Sequence, residues 1–431
     1  MQMIDHQEMK AGFAKENITP KKGTLMEGLG QKMPASSIHD ELFVRVLSLS
    51  CEGKEVALIS MDILFLERGQ VDRIKGAIGN LTGLRPAEIL INFTHTHCSP
   101  RVTRWAYFGN VEESYISHIE RGTLRAIVAA RANRKAVTIE AGSTTTDLPV
   151  NRRLPNAEGV AEWKPNFEGP TVTALPFCLF REKESGRVLS LLFSVACHPS
   201  MIYEFAISAE FPGAAVRHLN HDFATDGSMF FQGAAGDAKP RPAAGDGTRW
   251  IPCSWEQMEE VGKDLASRVK EAAQKAHAVE PAITTELREV SWRQLAPPTE
   301  TDLNAVIAAP EERPNRKAWA TEMSEVLALR GDLPSEAGVL LHVIGLGVGL
   351  RIVAVEGEVL ARLGQRLLAE IPPGVTFLLG YSNGTAVYLP DREDVPFGGY
   401  EVDSFWEYHQ PSGPALDCDD PLIQAVRSAI A

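Results

Sequence analysis

Glu88-Ile89-Leu90-Ile91-Asn92-Phe93-Thr94-His95-Thr96-His97-Cys98-Ser99-Pro100 starts as an apolar run and ends in a pair of histidines. A short apolar run bounded by polar, proline-containing sequence reads as a buried strand. Residues two apart on a strand share a face, so the spacing predicts that His95 and His97 look into one cavity at the strand's C-terminal edge. A second run, Leu191-Leu192-Phe193-Ser194-Val195-Ala196-Cys197, delivers His198 to Pro199 and Ser200 in the same way. Each histidine alone would serve equally well for an ordinary hydrogen bond. Histidines at two strand ends suggest a metal instead: zinc takes imidazole nitrogen and carboxylate oxygen, and a catalytic site keeps a position for water or substrate.

Two carboxylates could complete such a set. Glu356 and Glu358 both follow the strand-like Leu350-Arg351-Ile352-Val353-Ala354-Val355, and residue type does not choose between them. Asp237 closes Phe231-Gln232-Gly233-Ala234-Ala235-Gly236-Asp237, whose glycines and alanines would let the backbone approach a ligand. That stretch is neither a phosphate loop nor a dinucleotide fingerprint, and the chain has no GxSxG elbow and no HExxH. Cys98 beside the histidines is expected to be small buried filler rather than a nucleophile.

Further out, Glu41–Gly53 and Lys54–Asp62 read as two strands joined by a short turn, with Asp62 at the end of the second. Helices are expected over 67–78, 111–133 and from Ser254, whose capping box with Gln257 opens a helix to about His277. Strands are expected around 136–140, 172–180, 188–196 and from 338 through 355, with a helix following to about Glu370. The Pro-, Gly- and Asn-rich segment 149–171 reads as a long loop near the site. The segment 296–336 reads as a surface insertion in a single α/β, mixed-sheet domain covering 1–431.

The formal charge of -13 argues against nucleic acid and against an anionic membrane surface as partners. No apolar run is long enough to span a bilayer, and the first residues do not resemble a secretion signal. The expectation is a cytoplasmic enzyme of a small-molecule substrate, without stable membrane association. The 6 cysteines are widely spaced, with no CxxC pair, and read as reduced thiols.

Asn92 through Pro100 resembles the THTHSGP signature of the neutral/alkaline, non-lysosomal ceramidases. Further matches follow in order: Ala11-Gly12-Phe13-Ala14-Lys15-Glu16-Asn17-Ile18-Thr19-Pro20, Asn151-Arg152-Arg153, Ala196-Cys197-His198-Pro199-Ser200-Met201, Phe231–Asp237, Val355-Glu356-Gly357-Glu358, and Tyr381-Ser382-Asn383-Gly384 through Tyr388. The resemblance spans about 11 to 410 and implies a ceramidase-like, mixed-sheet zinc-hydrolase domain without the C-terminal β-sandwich of secreted members. It implies one zinc on His95, His198, Glu358 and Tyr388, and so favours Glu358 over Glu356. Manganese or iron would also suit such a set. His97 is then a proton shuttle, Tyr388 an oxyanion stabiliser, Asp237 part of the catalytic motif, Arg152 a substrate contact, and Asn383 another candidate for one.

The chain departs from the family where relatives carry the nucleophilic serine of GDVSPN. Here Gly236-Asp237-Ala238-Lys239-Pro240-Arg241 puts Lys239 in its place. An acyl-serine route is unavailable at that position, and a metal-activated water is expected to attack. Lys239 is expected to hold a carboxylate or phosphate, or to act as a base if its pKa is depressed; the alternative is a solvent-exposed lysine at a loop edge. With Arg104, Arg152, Arg153 and Arg241 it suggests a small, polar, anionic substrate whose amide, ester or lactone is hydrolysed. The alternatives are a metal-dependent isomerase, epimerase or lyase of a sugar or sugar acid, and a non-catalytic binding protein. The stretch from Gly398 to Trp406 also departs from the family pattern, in a region that borders the pocket of relatives.

Overall fold

The computed structural model describes residues 8–28 and 33–430. Strand Phe43–Cys51 illustrates how the layers arise. Val44 and Val46 point to one face, Leu47, Leu49 and Cys51 to the other, and all are buried. A strand apolar on both faces must be covered on both.

Its sheet runs in the order Ser228–Gln232, Val188–Val195, Ala174–Glu182, Lys135–Thr145, Met9–Asn17, Phe43–Cys51, Lys54–Met61, Ile89–Phe93, with His277–Val279 added to Lys135–Thr145. The centre is antiparallel, and the outermost pair at each end is parallel. On one face lie helices Arg68–Thr82, Glu113–Ala132, Glu210–Asp222 and Trp255–Ala273. Gly12 permits the closest contact there, because a Cβ would sit 2.0 Å from the Ala130 carbonyl oxygen.

On the other face packs a sheet of Pro281–Arg293, Glu336–Gly347, Leu350–Val355 and Val375–Leu379. Its Ile344, Leu346, Leu350, Ile352 and Phe377 interdigitate with Leu47, Leu49, Leu58 and Phe180. Alternate residues Val339, Leu341, Val353 and Val355 face outward toward helices Ala361–Ala369 and Asp420–Ile430. The result is helices, sheet, sheet, helices, with an apolar core on each side of the large sheet.

The large sheet curls until its two ends meet. Asn92 accepts from the Gln232 amide (2.8 Å) and donates to Gly380 O (2.9 Å), while the Ser60 hydroxyl donates to Phe230 O (2.7 Å). The C-terminal ends of Ile89–Phe93, Val188–Val195 and Val375–Leu379 therefore open on one place.

One expectation is corrected. Segment 149–171 is no loop: Pro149–Pro155 pairs antiparallel with Ala161–Asn166, and Ala238–Pro240 joins on its far side. Its turn is set by Asn156, whose side-chain oxygen accepts from the amides of Glu158 (3.0 Å) and Val160 (2.9 Å). Arginines occupying inward strand positions hid the period of two. Strand Pro281–Arg293 is not signalled by the sequence pattern, because most of its residues are polar; Ile283 joins the core between the two sheets, while Val290 and Trp292 join the core on the other side.

Segment 296–336 contains helices Glu300–Ala308 and Pro314–Arg330, which pack on Trp406 through Leu303, Trp319 and Met323. All 6 cysteines are buried and free. Among the described residues no helix is long and apolar enough to cross a membrane.

Candidate functional site

Strand Ile89–Phe93 ends two residues before His95, so the pleat does not place the histidines. His95 has φ 62°, in the left-handed region, and the chain turns there. Its amide donates to Ile63 O (3.0 Å) and that of His97 to Pro199 O (3.0 Å), which pins the turn between neighbouring loops. Both imidazoles still meet one cavity, through loop geometry rather than strand alternation. Potential ligand atoms of His95, His97 and His198 lie within 4.8 Å of one another.

The ring orientations are informative. His95 Nδ1 lies 2.9 Å from Leu64 O and His198 Nδ1 2.7 Å from Ala235 O. A carbonyl can only accept, so each Nδ1 carries the proton and each Nε2 presents a lone pair. Those lone pairs converge on Glu358 Oε2, at 3.6 Å from His95 and 3.3 Å from His198. Separations near 3.3 Å are what ligands about 2.0–2.2 Å from one tetrahedral ion would show. Burial holds the His95 imidazole down to about 3, and it holds His97 and His198 well below the ordinary histidine range. Neutral imidazoles beside a buried carboxylate fit a divalent cation.

The structure separates Glu356 from Glu358. Gly357, at φ 131°, breaks the alternation between them. Glu356 turns away into an ion pair with Arg68 and accepts from the Leu340 amide (3.1 Å). Glu358 pairs in register with Tyr388 and lines the cavity. Its Oε2 accepts from the Tyr381 hydroxyl (3.2 Å) and its Oε1 from that of Tyr408.

Of the glycines in Phe231–Asp237, Gly233 packs against Val195 and Ala196, and Gly236 serves this same element. The Gly236 amide donates to Val359 O (2.8 Å), and a Cβ there would lie 2.6 Å from Glu358 O. Gly236→Ala is expected to displace Glu358, destabilise the protein by about 1–3 kcal/mol and weaken metal binding, as read by urea denaturation and metal titration.

Arg152 is almost fully buried. It donates to Glu401 (2.7 Å) and to the Tyr388 hydroxyl (2.8 Å), approaches His198 Nε2 at 3.4 Å and stacks 4.1 Å over Trp163. Arg153 binds the other Glu401 oxygen (2.7 Å). Lys239 is 1% exposed, so the alternative of a surface lysine does not hold. It donates to Ser200 Oγ (2.9 Å) and Ser200 O (3.3 Å), and burial, with Arg152 adding to it, lowers its pKa to about 7.

The cavity, about 490 Å³, is lined by His95, His97, Arg152, Ser200, Lys239, Glu358 and Tyr388 among the polar groups. Its apolar walls are largely aromatic, including Phe65, Trp105, Phe108 and Trp163. Arg104, Arg241, Asp237 and Asn383 do not line it. Arg104 is exposed beside Glu67 (3.6 Å). Arg241 reaches Asp147 (3.5 Å). Asp237 accepts from Asn151 (2.7 Å) and the Ala361 amide (2.7 Å), holding the strands around the site. Asn383 accepts from the Ile91 amide (3.2 Å) and lies 3.2 Å from His342 Nδ1.

Sequence reasoning assigned no role to Tyr381, Glu401 or Tyr408. Tyr381 follows Val375–Leu379 as His95 follows its strand, so the strand-end rule that singled out the histidines applies to it too. Glu401 and Tyr408 sit in short helical turns with no such signal.

Behind His97, a Cβ on Gly28 would lie 2.7 Å from its carbonyl oxygen. The neighbouring Glu27 accepts from the Val102 amide (3.1 Å) and the Thr103 hydroxyl. Burial raises its pKa to about 7. A raised carboxyl contributes stability that is complete below the unfolded pKa and lost as pH rises through the folded one. Glu27→Gln should therefore flatten the fall in stability between pH 4.5 and about 7, and at pH 8 should be the more stable protein by on the order of 1–2 kcal/mol. Urea midpoints across that range check it.

No family model matches the chain, and no curated protein matches it in sequence. Solved structures do match. Neutral ceramidase from Pseudomonas aeruginosa superimposes with a TM-score of 0.76 at 16% identity, covering 98% of this chain and 74% of that one. A ceramidase complexed with C2 gives 0.74 at 16% identity, with the same coverage of both chains. The chain has a ceramidase-like fold. At this identity the ceramidase likeness concerns the backbone, and the site's chemistry rests on the side chains described above.

Proposed function

We infer that the protein is a metal-dependent hydrolase that cleaves an amide, ester or lactone in a small polar substrate bearing an anionic group. The observation that carries this is the convergence of His95 Nε2 and His198 Nε2 on Glu358 Oε2 inside a cavity that also holds Lys239. His95, His198 and Glu358 would hold the ion, with Tyr388 as the fourth group, and zinc suits that donor set. A bound divalent ion supplies Lewis acidity, polarising the acyl carbonyl and acidifying a water.

The remaining chemistry belongs to the chain. His97, neutral at physiological pH, takes a proton from the attacking water and returns it to the leaving group. Arg152 donates to the Tyr388 hydroxyl, which leaves that hydroxyl's own proton for the developing oxyanion. Lys239 anchors the substrate's anionic group. Tyr381 and Tyr408 hold both oxygens of Glu358 and so limit its rotation. The ceramidase-like fold is consistent with hydrolysis, while Lys239 at the place of the relatives' serine argues for direct attack by water.

The test is turnover of anionic short-chain N-acyl compounds, esters and lactones, with and without chelator. Products heavier by one water, formed only by metal-loaded protein, are expected. Products of unchanged mass would replace hydrolysis with isomerisation, and turnover of neutral long-chain lipid alone would overturn the substrate class.

A further inference from the structure

Lys239 and Glu407 line the same cavity and are of opposite charge type, and neither forms a close ion pair among the described residues; Glu210 acts on Lys239, and Arg313 on Glu407, only at longer range. Lys239 is held only by Ser200, with its Nζ 5.6 Å from the ring centres of both Tyr203 and Trp250. Glu407 accepts one hydrogen bond, from the Tyr400 hydroxyl at 2.8 Å. Withdrawing a charge from water costs several kcal/mol unless a partner compensates. Arg152 and Arg153, by contrast, share Glu401 in close ion pairs.

The aromatic walls show the same division. Trp163 has Arg152 stacked on it, and Tyr203 and Trp250 flank Lys239. Trp105 and Tyr408, packed together at 6.4 Å, carry no cation among the described residues and line the cavity with Glu407. A carboxylate with aromatic rings nearby is the chemistry that recognises an ammonium group.

We propose that the substrate is amphoteric, with its anionic group at Lys239 and a basic amine at Glu407. A ligand carrying both charges gives the buried Lys239 and the half-buried Glu407 each a close partner, whereas a singly charged one serves only one of them. This deepens the hydrolase reading and rests on it for the cavity being the substrate site. Binding tests it without turnover, so the two readings fail separately.

The experiment is calorimetric titration of the full chain with the ω-amino acids from 4-aminobutanoate to 8-aminooctanoate. Alkanoates and alkylamines of the same lengths serve as matched probes. At least one ω-amino acid is expected to bind about ten-fold more tightly than both its matched ions. Glu407→Gln should remove that advantage and leave alkanoate affinity unchanged, and Lys239→Met should abolish alkanoate binding. If no ω-amino acid outbinds its alkanoate, or if the advantage survives in Glu407→Gln, the proposal is overturned. The comparison within wild-type protein decides the matter even if a variant fails to fold.

Discussion

His198→Ala protein purified without added metal is expected to hold less than about a tenth of an ion per chain, where wild type holds about one. The imidazole is fully buried, its Nδ1 is fixed by Ala235 O, and its Nε2 is 3.3 Å from Glu358. Alanine offers no donor in its place, and the three remaining groups, His95, Glu358 and Tyr388, would hold a divalent ion poorly with one imidazole gone. Hydrolysis should fall by roughly 10³-fold, equivalent to about 4 kcal/mol of barrier. Elemental analysis of both proteins reads the first effect and turnover the second. Wild-type protein that is folded yet free of metal would favour a binding protein and sink the catalytic reading.

Arg152→Met is expected to lower stability by about 3 kcal/mol. The guanidinium is buried among Glu401, Tyr388 and Trp163, and methionine keeps most of its volume but none of its donors. Glu401 would keep only Arg153, leaving one carboxylate oxygen without its charged partner in the interior. The measurement is the urea midpoint of Arg152→Met, Glu401→Gln and the double variant. Coupling predicts that the double variant loses less than the two single losses added together. Strict additivity would mean that the pair does not act as a unit.

Where a local pattern carried the information, the sequence was legible. Helix Glu113–Ala132 follows from apolar spacing, and helix Trp255–Ala273 from the Ser254–Gln257 capping box. The strands leading to His95 and His198 follow from short apolar runs. Even there the reason differed in part, since His95 reaches the cavity through a left-handed turn.

Residue types and hydrophobic period by themselves determined the α/β class and the strand ends that bear histidines, because burial of an apolar face is a local demand of the chain. Only the tertiary structure decided which charges face the cavity. Lys239 and Arg241 are two residues apart. Pairing of Ala238–Pro240 with Pro149–Pro155 turns Lys239 inward, while Arg241 opens a short helical turn and reaches Asp147 outside. The Glu358 carboxylate is oriented by hydroxyls 23 and 50 residues away in sequence. Such partners leave no periodic trace, because a single hydrogen bond constrains one side chain and not the pattern around it.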